Sequence, residues 1–446
     1  MMPDRNYFAW ADEAFDRRAI FDKPEALRGI RVVELSTLIL GPATADYLGE
    51  FGAEVIKVEL PGTGDTMRSV SPEAYYWRNL CLGFTPENHN KFHITLDVHH
   101  PEGSALFKQL VARADVLVEN VRPGTMDAWR LGYRHLSEVN PRLIYLAASG
   151  FGQWGPFSVG RASYDILAQA ASGMAYIGGF PGRPPLKVGI YLGDFFGATM
   201  NAIAILTALH HRNRTGKGQY IEYSQAEGLI RTLDWTWLFQ HLTGQERERT
   251  GNRDVAVAPS DIFRCKDGFV AIAAATDAEF AGLCKAMGRP GLAMDKRFAT
   301  LEARLVPGHN EALCVLIGRW TAAKTKKAID AAGTRFGFAA APVMDAKDHH
   351  GDAHLRARGS VWELDDPLYG SMTEYGPAPK LSATPGRMKW AAKPVGWHNA
   401  YVFRRILGLP EEAIRDLEDK KIIGRWADRV GAKPPDDWRP PEGAFF

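Results

Sequence analysis

The chain has 446 residues, 46% of them hydrophobic and 24% charged. That composition suits a folded protein with a sizeable core, and the length exceeds what one core usually supports, so two domains are expected. Lys and Arg total 54 against 52 Asp and Glu, which leaves no global field drawing the protein toward nucleic acid or a membrane surface. An anionic ligand must be held by local groups.

The first thirty residues are charged throughout and lack the apolar core of a secretory signal. Apolar runs such as the one at 201–209 stay well below the ~18 residues of a bilayer span. A cytoplasmic protein with neither a membrane nor a nucleic-acid partner is expected. Cys81, Cys265, Cys284 and Cys314 are far apart and form no C-x-x-C pair, which predicts buried reduced thiols and neither disulfide nor metal site.

From Gly29 the text predicts a strand (IRVVELS), a turn at Gly41-Pro42, a helix (ATADYLGEFG) and a second strand (AEVIKVEL) ending in PGTGD. The rhythm continues with the helix PEGSALFKQLVARA, the strand DVLVEN, the short helix HLSEVN and the strand RLIYLAAS. Alternation of this kind predicts an α/β fold built on a parallel sheet with helices on both faces. A long helix follows directly after Asp194, stops at Thr215-Gly216-Lys217-Gly218, and gives way to the strand QYIEYS. Near Leu229 the text changes to an aromatic helical stretch with Trp235, Trp237 and Phe239, a stripe that reads as core in preference to the lining of a pocket for an aromatic or bulky acid. Strand-like IFRCKDGFVAIAAA and helices near 278–287 and 311–331 then predict a smaller α+β domain. Turn-rich sequence from Val361 leads to a helix near Tyr401–Leu407 and a Pro-rich tail over the surface.

Glu59, at the end of the second strand, stands where a dinucleotide-binding domain places its ribose acid. The turn TLILGPATADYLGE carries no G-x-G-x-x-G, so that reading lacks its phosphate cradle. P-loop, H-E-x-x-H and G-x-S-x-G patterns are also absent. Candidate crevice residues lie in three Gly-punctuated loops, ENVRPG (119–124), GRASYD (160–165) and YLGDFFG (191–197). They would converge outside the carboxyl ends of the strands. Arg122 and Arg161 are the cations available there for phosphate or carboxylate. Asp194 reads as an N-cap of the following helix, a position that also favours an ionised, nucleophilic carboxylate. Asp165 reads as a cap and Tyr164 as a core residue with a polar handle.

GIRVVELS through AEVIKVEL, NKFHITLD, ADVLVENVRPGTM, NPRLIYLAASGFGQWGP, YLGDFFGA and GKGQYIEY together resemble the family III CoA-transferases, over about 27–408. The resemblance implies a Rossmann-like parallel-sheet large domain with a smaller α+β domain in an interlocked homodimer. On that basis 1–28 is an extension, 29–228 the first part of the large domain, 229–355 linker and small domain, and 356–446 a return segment with a tail. The activity implied is transfer of CoA from an acyl-CoA, with succinyl-CoA the donor the resemblance suggests, to a free carboxylic acid, without metal or other cofactor. Asp194 matches the family's nucleophile. The implied CoA contacts are Leu38, Ile39, Leu96, His99, Asn120, Val121, Arg122, Arg161, Ala162, Tyr164 and Asp165. Ala162, Leu60 and Ala128 stand where relatives carry cations, with Arg161 or Arg130 as replacements. Two alternatives stay open: an α-methylacyl-CoA racemase, opposed by Ser163-Tyr164-Asp165 in place of a Gly-His-Asp, and a non-catalytic acyl-CoA-binding relative, opposed by Asp194 itself.

Overall fold

A computed structural model describes residues 5–158 and 160–439. Residues 1–4 of the expected extension and 440–446 of the expected tail lie outside them. The chain divides into two units, one of 1–172, 189–233 and 353–446, the other of 173–188 and 234–352.

The first unit is built on six strands: β1 (Arg31–Leu35), β2 (Glu54–Glu59), β3 (Lys91–Thr95), β4 (Val116–Glu119), β5 (Ile144–Ser149) and β6 (Gln219–Ser224). They are all parallel and run in the order β3-β2-β1-β4-β5-β6. Their interiors are apolar on both faces because helices cover both. Val33, Ile56, Leu117 and Tyr145 meet Phe107 and Leu110 of α2 (Pro101–Val111) on one side. Val32, Val55, Val118 and Ile144 face Leu48 of α1 (Leu40–Glu50) and Ile205 and Leu209 of a longer helix on the other. β3 escaped the sequence reading because Lys91 and His93 interrupt its apolar pattern. Both are fully buried, Lys91 paired with Glu34 at 2.8 Å and His93 facing Glu59 at 3.3 Å.

Three helices frame the carboxyl end of the sheet: α3 (Asp165–Ala171), α4 (Leu192–Thr215) and α5 (Gln225–Ile230). Helix α1 starts at Leu40, so Gly41-Pro42 is no turn but part of its first turn, where proline forfeits no helical hydrogen bond. Helix α4 is longer than the apolar run suggested. Its 24 residues include an 18-residue window of mean hydropathy 1.4, long and apolar enough to span a bilayer by composition. Its inner face, however, packs on the sheet through Ile205, Ala208 and Leu209, and Arg212 pairs with Asp115 at 2.9 Å. Gly216 closes it in the left-handed conformation. Further on, Val361–Asp366 and Gly370–Tyr375 form a hairpin where only turns were expected.

The second unit holds a three-stranded antiparallel sheet of Ser260–Cys265, Gly268–Ala273 and Ala339–Pro342. Phe263, Val270 and Ile272 pack against Phe280, Leu313 and Ile329 from its helices. The single helix expected at 311–331 is two, Pro307–Thr321 and Lys326–Phe336, the second capped by the Thr325 hydroxyl. The aromatic stripe is not core. Helix Thr236–Thr243 buries no residue, and Trp237 is 65% exposed.

Candidate active site

The strand order reverses between β1 and β4, the point at which doubly wound sheets open a ligand crevice. Two loops meet there. Asn120, leaving β4, accepts the Thr37 N–H at 2.9 Å and donates its Nδ2 to the Thr37 carbonyl at 2.7 Å. Thr37 belongs to the loop between β1 and α1, in which Leu38 takes φ +65°.

Asp194 approaches the same place from α4. It is the third residue of that helix, not its cap, because the helix begins at Leu192. Capping comes from another element: Asp165 Oδ1 accepts the Gly193 N–H at 2.7 Å, while its Oδ2 accepts from Gln169 at 2.7 Å. Asp165 therefore caps α4 rather than its own helix, α3. Gln225, at the start of α5, donates to Asp194 Oδ1 at 2.8 Å, and the Leu40 N–H at the start of α1 faces the same carboxylate. Helices α4 and α1 approach closely because of Gly197, whose Cβ would stand 2.6 Å from Leu40 Cδ1. Burial raises the pKa of Asp194, the neighbouring Asp165 charge adds to the effect, and the Gln225 bond and the Leu40 amide oppose it, leaving a value of about 7. Beside it lies Tyr223, whose buried hydroxyl has no hydrogen-bond partner among the described residues. Gly228 makes room for that phenol, since a Cβ there would lie 1.9 Å from Oη. Burial, with the Asp194 charge, raises the Tyr223 pKa and keeps the phenol a donor.

The residues singled out from sequence divide into three groups. Asn120, Asp165 and Asp194 have polar groups bonded within the crevice, and Leu38 is half-buried at its lip. Ile39 and Leu96 point their side chains into the core, at 5% and 2% exposure, so only their backbones are available to a ligand. Val121 packs against the core and sends its N–H to Glu119 at 2.9 Å. The third group is at the surface. His99 bonds Asp97 at 2.9 Å and sets its ring edge-on to Trp129, at 4.5 Å between centroids. Arg122 is exposed and lines a cavity of about 260 Å³ with Glu119, Tyr145 and Tyr220. Arg161 is exposed with its guanidinium 3.8 Å over the Phe157 ring, and Ala162 is exposed beside it. Tyr164 is 63% exposed, which corrects the reading of it as a core residue. Asp165 beside it is buried.

Gln225 and Tyr223, beside Asp194, and Asp65, which accepts from the Thr37 hydroxyl and the Leu38 N–H, were not singled out from the sequence. Gln225 and Tyr223 sit at the end of β6, where the carboxyl-end rule would have directed attention. Asp65 closes PGTGD, noted before only as a loop. Among the described residues no group of three or more His, Cys, Asp or Glu is arranged to hold a metal ion.

A parallel sheet of this order, with a half-buried carboxylate between three helix starts at its reversal, defines a doubly wound α/β enzyme whose chemistry runs through a carboxyl group. More specifically, the chain belongs to CoA-transferase family III, which matches residues 27–399, and it is a CoA-transferase. It is 40% identical over 401 residues to the succinyl-CoA–D-citramalate CoA-transferase of Chloroflexus aurantiacus, covering 90% of this chain and 98% of that one. It is 32% identical over 408 residues to the succinyl-CoA:glutarate CoA-transferase of Mus musculus, covering 90% and 91%. Among solved structures, a CAIB/BAIF family protein from Brucella suis superposes with a TM-score of 0.76 at 31% identity, over 86% of this chain and 99% of that one.

Proposed function

We propose that this enzyme carries CoA from succinyl-CoA to a short dicarboxylic acid, with Asp194 as the covalent carrier. The observation that carries the reading is the Asp194 carboxylate itself, half-buried at the strand-order reversal and held by Gln225 and the Leu40 amide. The choice of substrates is supported by relatives named for succinyl-CoA with citramalate, malate, glutarate or mesaconate.

In the first step an Asp194 oxygen attacks the thioester carbonyl of the donor, the C–S bond breaks, and an aspartyl–acyl anhydride and the CoA thiolate result. The thiolate attacks the aspartyl carbonyl and expels the donor acid as its carboxylate, leaving an aspartyl–CoA thioester. The acceptor carboxylate attacks that thioester, forming a second anhydride and freeing the thiolate. Attack of the thiolate on the acceptor's acyl carbon yields the new acyl-CoA and restores Asp194. Each activated intermediate requires exclusion of water. CoA is a substrate in this scheme, and neither metal nor other cofactor enters. Asn120, Arg122, Arg161 and His99 are the side chains assigned to CoA, with Leu38, Ile39, Leu96 and Val121 contributing backbone. We assign the enzyme to the cytoplasm as an interlocked homodimer.

Intact-protein mass spectrometry after incubation with succinyl-CoA tests the carrier, with borohydride or hydroxylamine as trap. A CoA-sized or trapped adduct that maps to Asp194 and vanishes in Asp194→Ala is expected, with transfer falling at least ~10³-fold in the variant. Absence of any adduct together with α-proton exchange from deuterated water would turn the assignment to a racemase.

A further inference from the structure

The loop between β1 and α1 delivers the Leu40 amide to Asp194, and it does so through a backbone conformation that leucine disfavours. Leu38 lies at φ +65°, in the left-handed region where a Cβ crowds the neighbouring carbonyl. Something must hold it there, and the contacts converge on one side chain. Asp65 Oδ1 accepts from the Thr37 hydroxyl at 2.6 Å, from the Leu38 N–H at 3.0 Å and from the Met67 N–H at 2.9 Å. Its other oxygen pairs with Lys57 at 2.8 Å, with both side chains fully buried. Asp65 is itself fixed, since its N–H donates to Glu59 Oε2 at 2.9 Å, and Glu59 accepts from Arg68 Nε at 2.6 Å and Nη2 at 2.7 Å.

We propose that Asp65 is a positioning residue for the transfer reaction: by holding Leu38 in the left-handed conformation it aims the Leu40 N–H at the Asp194 carboxylate. The inference rests on Asp194 being the carrier. A purely structural role, as the counter-ion of Lys57, would use one carboxylate oxygen. Lys57 already has Glu34 at 2.6 Å, and the second oxygen of Asp65 is given over to the Thr37–Leu38 backbone and Met67. The Asn120 clamp on Thr37 fixes where the loop lies but bonds neither group of Leu38.

A double-mutant cycle between Asp65→Ala and Leu38→Gly separates the two roles, because glycine adopts φ +65° without help. Asp65→Ala is expected to lower kcat roughly tenfold or more when Leu38 is retained and less than about threefold when it is combined with Leu38→Gly. Asp65→Asn, which keeps the side-chain shape and weakens the charge-assisted bonds, runs the same cycle if the alanine variant does not fold. The ¹³C titration of the Asp194 carboxyl supplies a readout that needs no turnover. Turning the Leu40 amide away should move its midpoint upward in the Asp65 variant, and adding Leu38→Gly should restore it, while Asp165, Tyr223 and Gln225 around the carboxyl stay in place. Equal losses in the two backgrounds, no loss in either, or an Asp194 midpoint unmoved by the Asp65 change would overturn the proposal. An inactive wild type would count against the transferase reading alone, leaving the titration to decide the positioning.

Discussion

At neutral pH the Asp194 carboxyl stands near the middle of its titration, because burial and the adjacent Asp165 raise its pKa from 3.8 to about 7. Attack on a thioester needs the ionised form, so transfer should rise with pH through about 7 on the acid limb of a pH–rate profile. The same shift has a consequence for stability. Between about pH 4 and 7 the folded state holds a proton that the unfolded chain has released, so this group's contribution falls as pH rises through that window. Asp194→Asn removes the charge and should be inactive yet more stable than the wild type at about pH 8, by an amount on the order of a few kcal/mol. At about pH 4 the two should unfold alike. Paired urea titrations at the two pH values measure this, and an equal gain at both would exclude linkage to Asp194. The residue itself was legible in the sequence from its glycine-flanked place ahead of a helix and from the family likeness. Its partners were not, because Leu40, Asp165 and Gln225 come from segments 154, 29 and 31 positions away along the chain.

Helix starts do most of the site's assembly. Helices α1, α4 and α5 begin within reach of one carboxylate, and α3 contributes the Asp165 that caps α4. The closeness of α1 and α4 depends on Gly197. Glycine inside a helix ordinarily costs about 1 kcal/mol relative to alanine. Here the replacement should have the opposite sign, since the new Cβ would meet Leu40 Cδ1 at 2.6 Å and the Tyr223 ring at 2.9 Å. Gly197→Ala is expected to destabilise the protein by roughly 1–3 kcal/mol and to lower kcat by drawing the Leu40 amide away. Chemical denaturation together with steady-state kinetics checks both parts. Strand and helix succession was readable where apolar periodicity was clean, as in β1, β2 and β4. It failed in β3, whose Lys91 and His93 are inward-facing charges or polar groups that only their partners on β1 and β2 explain. It failed again at Thr236–Thr243, where Trp237, Leu238 and Leu242 are apolar yet exposed at 60–70%.

Across the whole molecule, a chain of buried charges runs under the sheet. Glu34 pairs with Lys57 at 2.6 Å and Lys91 at 2.8 Å, and Lys57 reaches Asp65. Burial by itself would raise the Glu34 pKa, but the two ammonium groups outweigh it and hold the carboxylate at about 2. The loop that serves Asp194 is thereby tied to the middle of the sheet. At the outside, Ile203 and Leu206 of α4 and Ile166 and Leu167 of α3 are exposed apolar groups, compatible with the proposed homodimer. If the dimer interlocks, tagged and untagged dimers mixed under native conditions should form no hybrids over hours, whereas a joint unfolding and refolding cycle should produce them. Prompt native exchange, read by affinity capture and mass spectrometry, would exclude interlocking.

The linear chain was enough to reveal the alternation of strands and helices and the identity of the candidate nucleophile. These follow from local periodicity, from turn residues and from motifs whose order survives in one dimension. The strand order, the cap that Asp165 provides, the left-handed Leu38 and the grip of Asp65 upon it emerged only once the chain was folded. Each of those is a relation between segments distant along the chain, and no local pattern encodes which donor a buried carboxylate will meet.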